Sequence, residues 1–258
     1  MAKWKRVLLW CGGFAVLLIA YAWSFGLQTA CVWETRWLAR KSPFVNNTPA
    51  TLPDATISNE PGRKLSYLGY EFEAPWQDLD EGKSKIIRNL PVAVIAFHAH
   101  NSILLSVVPP RDFVDTISKA TPTYPMIFRR MYGDQVLQSD YALLKAVYNA
   151  TPRKITLFSS RQDAVGLSMI LIVKAIIAPT ADSEIYSIRS KDFQGFQLGN
   201  PSHRPARIEI KLFGEDVHLE FSIQQKANDV APSITQAELN RIIQTVHKAS
   251  AEPEQSKH

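Results

Sequence analysis

Cysteine is almost absent from this 258-residue chain, and its two cysteines, Cys11 and Cys31, both lie near the N-terminus. The rest of the chain therefore has no disulfide bond, no thiol nucleophile and no cysteine-based zinc site. A chain of this length buries a hydrophobic core that is large enough to be stable without such cross-links. This cysteine usage is compatible with a bacterial envelope protein.

Glycine-rich loops that bind phosphate groups are also missing. The 11 glycines form neither the G-x-x-x-x-G-K-[ST] pattern nor the G-x-G-x-x-G pattern, which argues against nucleotide chemistry. Residues 166–170 lack the second glycine of the G-x-S-x-G nucleophile elbow, and Ser168 falls inside a helical pattern. We therefore expect Ser168 to be a buried helix serine that bonds to its own backbone.

Positive charge is not clustered in the way that nucleic-acid binding requires. The net charge is +5, and Lys3, Lys5 and Arg6 supply three positive charges before the first acidic residue. We therefore expect no nucleic-acid partner. The later basic residues fit scattered solubilising charge, or else a surface for an anionic ligand or lipid headgroup. They are Arg129–Arg130, Arg153–Lys154 and Arg204–Arg207.

A long apolar run begins after the basic segment 1–6. From Val7 to Val32 no residue is charged, and tryptophans border the run on both sides. A helix over these residues would be roughly 39 Å long, which is enough to cross a bilayer core. The sequence therefore predicts a single-pass transmembrane anchor at 7–32. It would place the protein in the inner membrane with its domain facing the periplasm or the outside.

Two alternatives fit the same N-terminal residues. Ala20-Tyr21-Ala22 follows a basic and then an apolar segment, and this pattern is typical of a signal peptide that is cleaved near Ala22 to release a secreted protein. Leu27 to Cys31 faintly resembles a lipobox, although Gln28 replaces the usual aliphatic residue. Each alternative sends the remaining chain out of the cytoplasm.

The rest of the chain divides into a linker, a domain and a tail. Residues 33–63 are predicted to be a juxtamembrane segment and a proline-rich tether, because four prolines are spaced among polar residues. Residues 64–250 are predicted to form one extracytoplasmic domain. The polar tail 251–258 is predicted to be disordered.

Hydrophobic periodicity assigns the elements of this domain. A strand is predicted over 65–74, hairpins over 92–108 and 208–223, helices over 110–149, and a buried core helix over 162–178. The last helix begins with the capping box Thr235–Glu238 and carries an apolar stripe, Leu239, Ile242, Ile243 and Val246. We expect this stripe to pack on the preceding hairpin. The order predicts an α+β domain with a mainly antiparallel sheet packed by helices.

One short motif resembles a known family. Residues 69–76, Gly-Tyr-Glu-Phe-Glu-Ala-Pro-Trp, look like the opening strand of PsbP/Mog1-like domains, and the late hairpin with its packing helix is similar to their ending. Such domains are mostly binding and assembly modules. The resemblance therefore implies a non-catalytic role.

Two sets of residues are the candidates for chemistry. His98 and His100 are spaced to reach one zinc ion, with His203 or His218 as a third ligand, but no motif accompanies them. We therefore expect a polar hairpin loop and no metal site. Glu71 and Glu73 share one face of a strand and could act as acid and base on a sugar, although most such pairs are solvated.

These observations predict a protein that is not an enzyme. We expect a membrane-anchored extracytoplasmic domain with a binding or assembly role at the cell envelope and no cofactor. Its expected partners are the membrane, through the N-terminal helix, and an unknown protein or small ligand. The alternative is an envelope hydrolase whose site has no sequence motif.

Overall fold

The computed structural model describes residues 22, 24–52, 56–58, 60–100, 102–156, 158–180, 183–203, 207–224 and 234–249. The basic segment 1–6, the tail 251–258, most of the apolar run, and Arg204 all lie outside these residues. The described residues form an α+β domain with a mixed sheet.

The central sheet contains eight strands. They are β1 (Ala50–Thr51), β4 (Lys85–Ile86), β5 (Val92–Ile95), β6 (Ile103–Val108), β7 (Ile185–Arg189), β8 (Gln194–Leu198), β9 (Arg207–Phe213) and β10 (His218–Gln224). Their spatial order is β1-β7-β8-β9-β10-β6-β5-β4. Neighbouring strands are antiparallel except β1 and β7, which are parallel, so the sheet is mixed.

A second sheet and six helices cover the central sheet. The second sheet contains β2 (Arg63–Tyr67), β3 (Tyr70–Ala74) and β11 (His247–Lys248). The helices are α1 (24–41), α2 (Asp112–Ala120), α3 (Thr123–Tyr132), α4 (Asp140–Asn149), α5 (Arg161–Ile176) and α6 (Gln236–Thr245). Helices α1 to α5 share one hydrophobic core, and α6 shares another with the second sheet, which gives three layers.

The predicted transmembrane anchor is wrong. None of the helices in the described ranges combines the length and the apolar character that a bilayer span needs. The last residues of the predicted anchor belong to α1, which carries Glu34, Arg36, Arg40 and Lys41. The apolar side of α1 is occupied by the domain itself, because Cys31 and Val32 are buried in the helical core.

The predicted tether also differs from the structure, because part of it is built into the domain. Phe44 and Val45 are completely buried, in a short 3-10 turn after α1. A few residues later, β1 pairs with β7 at the edge of the central sheet. The prolines in this segment break regular structure, but Phe44 and Val45 between Pro43 and Pro49 are core residues.

The predicted strand over 65–74 is a hairpin rather than one strand. Leu68 and Gly69 both adopt positive φ angles, of 55° and 80°, between β2 and β3. Two consecutive positive φ angles are typical of the type I′ turn that joins two antiparallel strands. Tyr67 therefore pairs with Tyr70, and the alternating pattern continues through the turn.

The other predicted hairpins and the last helix are confirmed. Strand β6 pairs with β5, and β10 pairs with β9. Helix α5 is a buried core helix, as its composition predicts. The capping box of α6 forms in full, and its apolar stripe is buried with Leu219, Phe221 and Ile223 of β10.

Candidate functional site

The two candidate histidines occupy the loop between β5 and β6, and each faces a different carboxylate. His100 Nδ1 lies 2.9 Å from Asp78 Oδ1, and its ring stacks on Trp76 with the centroids 4.8 Å apart. His98 Nδ1 lies 3.6 Å from Asp80 Oδ2. Among the residues that the structure describes, no three histidine, cysteine or acidic side chains are arranged to hold a metal ion.

Asp78 and Asp80 connect the loop between β3 and β4, to which they belong, with the loop between β5 and β6. Burial alone would raise the pKa of Asp78, but hydrogen bonds from the Ala99 backbone N–H and from His100 outweigh it, so that the pKa is lowered. The pKa of Asp80 is lowered chiefly by its ion pair with Lys83. Both carboxylates therefore stay ionised near neutral pH and hold the loop structure together.

Glu71 and Glu73 lie on the outer face of β3, where a cavity of about 580 Å³ opens on the second sheet. Glu73 Oε2 accepts a hydrogen bond of 2.8 Å from Arg241 of α6, and Glu71 Oε2 lies 3.4 Å from His247 Nε2. Glu73 is thus bound to a cation that ties α6 to β3. Because Glu73 is paired with Arg241, it is not available as a free carboxylic acid for sugar hydrolysis.

His218 lies beneath α4, far from solvent, whereas His203 lies in an exposed turn after β8. His218 Nδ1 is 3.8 Å from Asp140 Oδ2, and its Nε2 is 3.2 Å from Glu220 Oε1. Burial alone would raise the pKa of Glu220, but His218 and Lys211 lower it to about 2. Asp140 and His218 are 3% and 4% exposed, so a substrate does not reach these two side chains.

Ser168 lies on α5 and is buried, as its helical pattern predicts. The predicted bond to its own backbone is wrong, because its Oγ has no hydrogen-bond partner among the described residues. The residue is surrounded by core side chains rather than placed at a turn. It therefore has neither the setting of a nucleophile nor a helix-bending hydrogen bond.

A large cavity lies between α1 and residues 152–156 and 158. Its volume is about 700 Å³, and we call it the α1 cavity. Val32 and Ala39 of α1 and Ile155 of the opposite wall supply its apolar surface. Phe158 stands at its rim and is 92% exposed.

Three arginines line the α1 cavity and no acidic residue does. Arg36 and Arg40 come from α1, and Arg153 comes from the opposite wall. The arginine ion pairs found in the described ranges all belong to other arginines, elsewhere in the structure. The cavity therefore joins apolar surface to uncompensated positive charge.

Lys174 connects the segments of the chain next to the two walls of this cavity. It is completely buried on α5, and its Nζ donates to the carbonyl oxygens of Val45 and Asn47 on the N-terminal side. On the other side Nζ donates to the carbonyl oxygens of Tyr148 and Ala150, each at 2.8 Å. Burial lowers the pKa of Lys174 to about 7, and Lys154 adds to this effect.

The sequence indicated this cavity only in part. Arg153 belongs to one of the basic pairs that suit an anionic ligand, whereas Arg36 and Arg40 were assigned to a juxtamembrane segment. The signal that could have found them is the spacing of Val32, Thr35 and Ala39, which places one side of α1 against a protein core. The two walls come from segments more than a hundred residues apart, and a sequence pattern does not show that they meet.

Comparisons with protein-family models, with curated proteins and with solved structures found no match. The resemblance to PsbP/Mog1-like domains therefore stays a prediction.

Proposed function

We propose that this protein is a non-enzymatic binding domain whose ligand site is the α1 cavity. The observation that carries the proposal is the composition of that cavity, where an apolar surface and three arginines meet without an acidic residue. Ligand sites are typically concave and mostly apolar, with a few polar groups that orient the ligand, and they span about 300–1,000 Å³. The α1 cavity has each of these properties.

The states of the titratable groups favour binding over the alternative, an envelope hydrolase. A hydrolase needs an acid or base that reaches its substrate and has a pKa suited to proton transfer. Asp78 and Glu220 instead have lowered pKa values, because hydrogen bonds to each carboxylate favour its ionised form. Lys174 has a pKa of about 7, but it is completely buried among backbone carbonyl groups.

The site of action that we propose is the cell envelope, outside the cytoplasm. The support comes from the sequence, in which a basic segment and the apolar residues 7–19 precede Ala20-Tyr21-Ala22. Helix α1 follows directly and packs on the domain, so cleavage near Ala22 would leave the folded part intact. N-terminal sequencing of the protein from the envelope fraction tests this, and a cytoplasmic chain that keeps Met1 contradicts it.

Ligand-induced stabilisation tests the binding function. We would screen the full chain by thermal unfolding against a set of anionic, neutral and cationic compounds with apolar groups of graded size. Because a ligand that binds the folded state raises the melting temperature, we expect part of this set to stabilise the protein.

A variant whose cavity is filled tests whether such stabilisation comes from a ligand in the α1 cavity. Ala39→Trp places an indole in the α1 cavity and should abolish the effect. Ala120→Trp, at the exposed end of α2, should preserve it. Stabilisation that is equal in both variants, or the absence of any stabilising compound, contradicts the proposed function.

A further inference from the structure

We infer that the ligand of the α1 cavity is a single amphiphile with one anionic headgroup, a carboxylate or a phosphate monoester, on an apolar chain. This inference rests on the proposed function and adds the chemical class of the ligand. Three separate properties of the cavity lead to it: the position of its arginines, the exposed aromatic residues around it, and its shape.

The arginines indicate an anion. Arg36 and Arg40 are four residues apart on α1, and like charges at this spacing destabilise a helix. Arg153 adds a third positive charge from the opposite wall, and no acidic residue lines the cavity. A guanidinium group binds a carboxylate or phosphate through two parallel hydrogen bonds. One anionic headgroup between the walls would therefore compensate charges that the described residues leave uncompensated.

The surrounding apolar surface indicates a chain attached to that headgroup. Val32, Ala39 and Ile155 offer no hydrogen bonds to a ligand, so a bare anion would leave this surface in contact with water. Phe158 at the rim is 92% exposed. A patch of exposed apolar side chains is typical of a binding surface, and Phe158 contributes one such side chain to the lining of the cavity.

Two tryptophans extend this apolar surface. Trp33 and Trp37 are 73% and 60% exposed on α1. The helical rotation of 3.6 residues per turn places them on the face next to Arg36 and Arg40. An apolar chain that leaves the cavity past the arginines would therefore meet an aromatic surface. This arrangement also gives an optical signal, because tryptophan fluorescence responds to a bound apolar group.

The shape of the site indicates one molecule rather than a bilayer surface. The arginines that line the cavity come from two segments, α1 and residues 152–156. Lys174 binds the backbone carbonyl groups of Val45 and Ala150, which are close in the chain to these two segments. A concave site surrounds one headgroup with charges from two segments, whereas a flat surface does not. The volume of about 700 Å³ is within the range of small-molecule sites.

Tryptophan fluorescence of the full chain, titrated with monomeric twelve-carbon probes below their micelle concentrations, tests the inference. The probes are dodecanoate, dodecyl phosphate, dodecyl maltoside and dodecyltrimethylammonium, with inorganic phosphate as a headgroup without a chain. We expect the two anionic amphiphiles to bind at least about tenfold more tightly than the neutral, cationic and chain-free probes.

Matched variants test whether the arginines of the cavity cause the preference for anionic amphiphiles. The double variant Arg36→Gln, Arg153→Gln should weaken binding of dodecanoate by about tenfold or more and leave dodecyl maltoside unaffected. Arg88→Gln removes an exposed arginine that does not line the cavity, and it should change neither affinity. Equal weakening by both sets of substitutions would show a general charge effect and overturn the inference.

Three further outcomes overturn the inference in distinguishable ways. In the first, the cationic or neutral probe binds as tightly as the anionic amphiphiles or more tightly, and Ala39→Trp abolishes this binding. That outcome rejects the anionic class of ligand but agrees with the proposed function. Binding to phosphatidylglycerol vesicles without binding to the monomeric anions shows that the surface recognises a bilayer. If Ala39→Trp abolishes binding of no probe, both the inference and the proposed function fail.

Discussion

The ammonium group of Lys174 lies 2.8 Å from the carbonyl oxygen of Tyr148, in the last turn of α4. A cation at this end of a helix is favoured by the helix dipole. The same Nζ lies 3.3 Å from the carbonyl oxygen of Val45, which follows α1 in the chain. One buried cation thus binds two segments through their backbones, with no acidic partner among its hydrogen bonds.

The first prediction is that this lysine makes stability depend on pH in the alkaline range. Its pKa is about 7 in the folded chain, because burial disfavours the charge, against 10.5 for an ordinary lysine. Between these pH values the unfolded chain binds more protons than the folded chain. The free energy of unfolding should therefore rise as the pH rises from about 7 towards 10.5.

Lys174→Met removes the titrating group and should flatten this rise in thermal unfolding measured across the same pH range. Lys119→Met replaces an exposed lysine at the end of α2, so the rise should persist in that control. Parallel pH profiles for all three proteins would mean that Lys174 does not titrate in this interval.

The second prediction concerns the apolar stripe of α6. Ile243 is 1% exposed and shares a core with Phe221 of β10, so Ile243→Asp buries a carboxylate without a partner. The cost should be several kcal/mol, enough to unfold a domain of ordinary stability. Gln244→Asp changes the exposed neighbour and should cost about 1 kcal/mol or less. An unchanged melting temperature in Ile243→Asp would contradict the packing seen here.

The third prediction concerns the acid range. The pKa of Asp78 is below its usual value, so its hydrogen bonds contribute stability above about pH 4, which is lost as the pH falls through the folded-state pKa. Asp78→Asn should lower stability at pH 6 by about 1 kcal/mol and weaken the dependence on acid. Glu215→Gln, in an exposed turn, serves as the control. An acid profile in Asp78→Asn that matches that of the native chain would refute the role of this carboxylate.

The fourth prediction compares two serines. The Ser168 hydroxyl is buried and has no partner among the described residues, and such a group costs about 1–3 kcal/mol to desolvate. Ser168→Ala should therefore leave stability equal or higher. Ser139 caps α4 by accepting a hydrogen bond of 3.2 Å from the Ala142 backbone, so Ser139→Ala should cost about 1 kcal/mol. Chemical denaturation measures both, and a large loss in Ser168→Ala would reveal a partner for its hydroxyl.

Local patterns predicted the elements whose apolar residues repeat regularly. The β9–β10 hairpin and α6 are examples, because alternation and a capping box are local properties. The turn at Leu68–Gly69 was missed because the alternation of apolar residues continues through it. The packing of α1 on the domain was missed for another reason. The sequence of an apolar helix face is similar whether that face contacts lipid or a protein core.

The candidate site depended on contacts that the sequence does not display. Arg153 stood out as part of a basic pair, but its partners Arg36 and Arg40 meet it only through the tertiary fold. Lys174 lies within the predicted core helix over 162–178, and nothing in the local sequence indicates that backbone carbonyl groups surround its ammonium. The three arginines could therefore be identified as one group only after the packing of their segments was known.

The two-residue strand β1 has a consequence for association between copies of this chain. It covers one side of β7, and β7 would otherwise be the outermost strand of the central sheet. An uncovered edge strand offers unpaired backbone groups to any other extended chain. Proteolysis between α1 and β1 would weaken the attachment of this short cover. Loss of β1 would leave Tyr186 and Ser187 of β7 without their strand partners, and the exposed edge would then be a template for edge-to-edge aggregation.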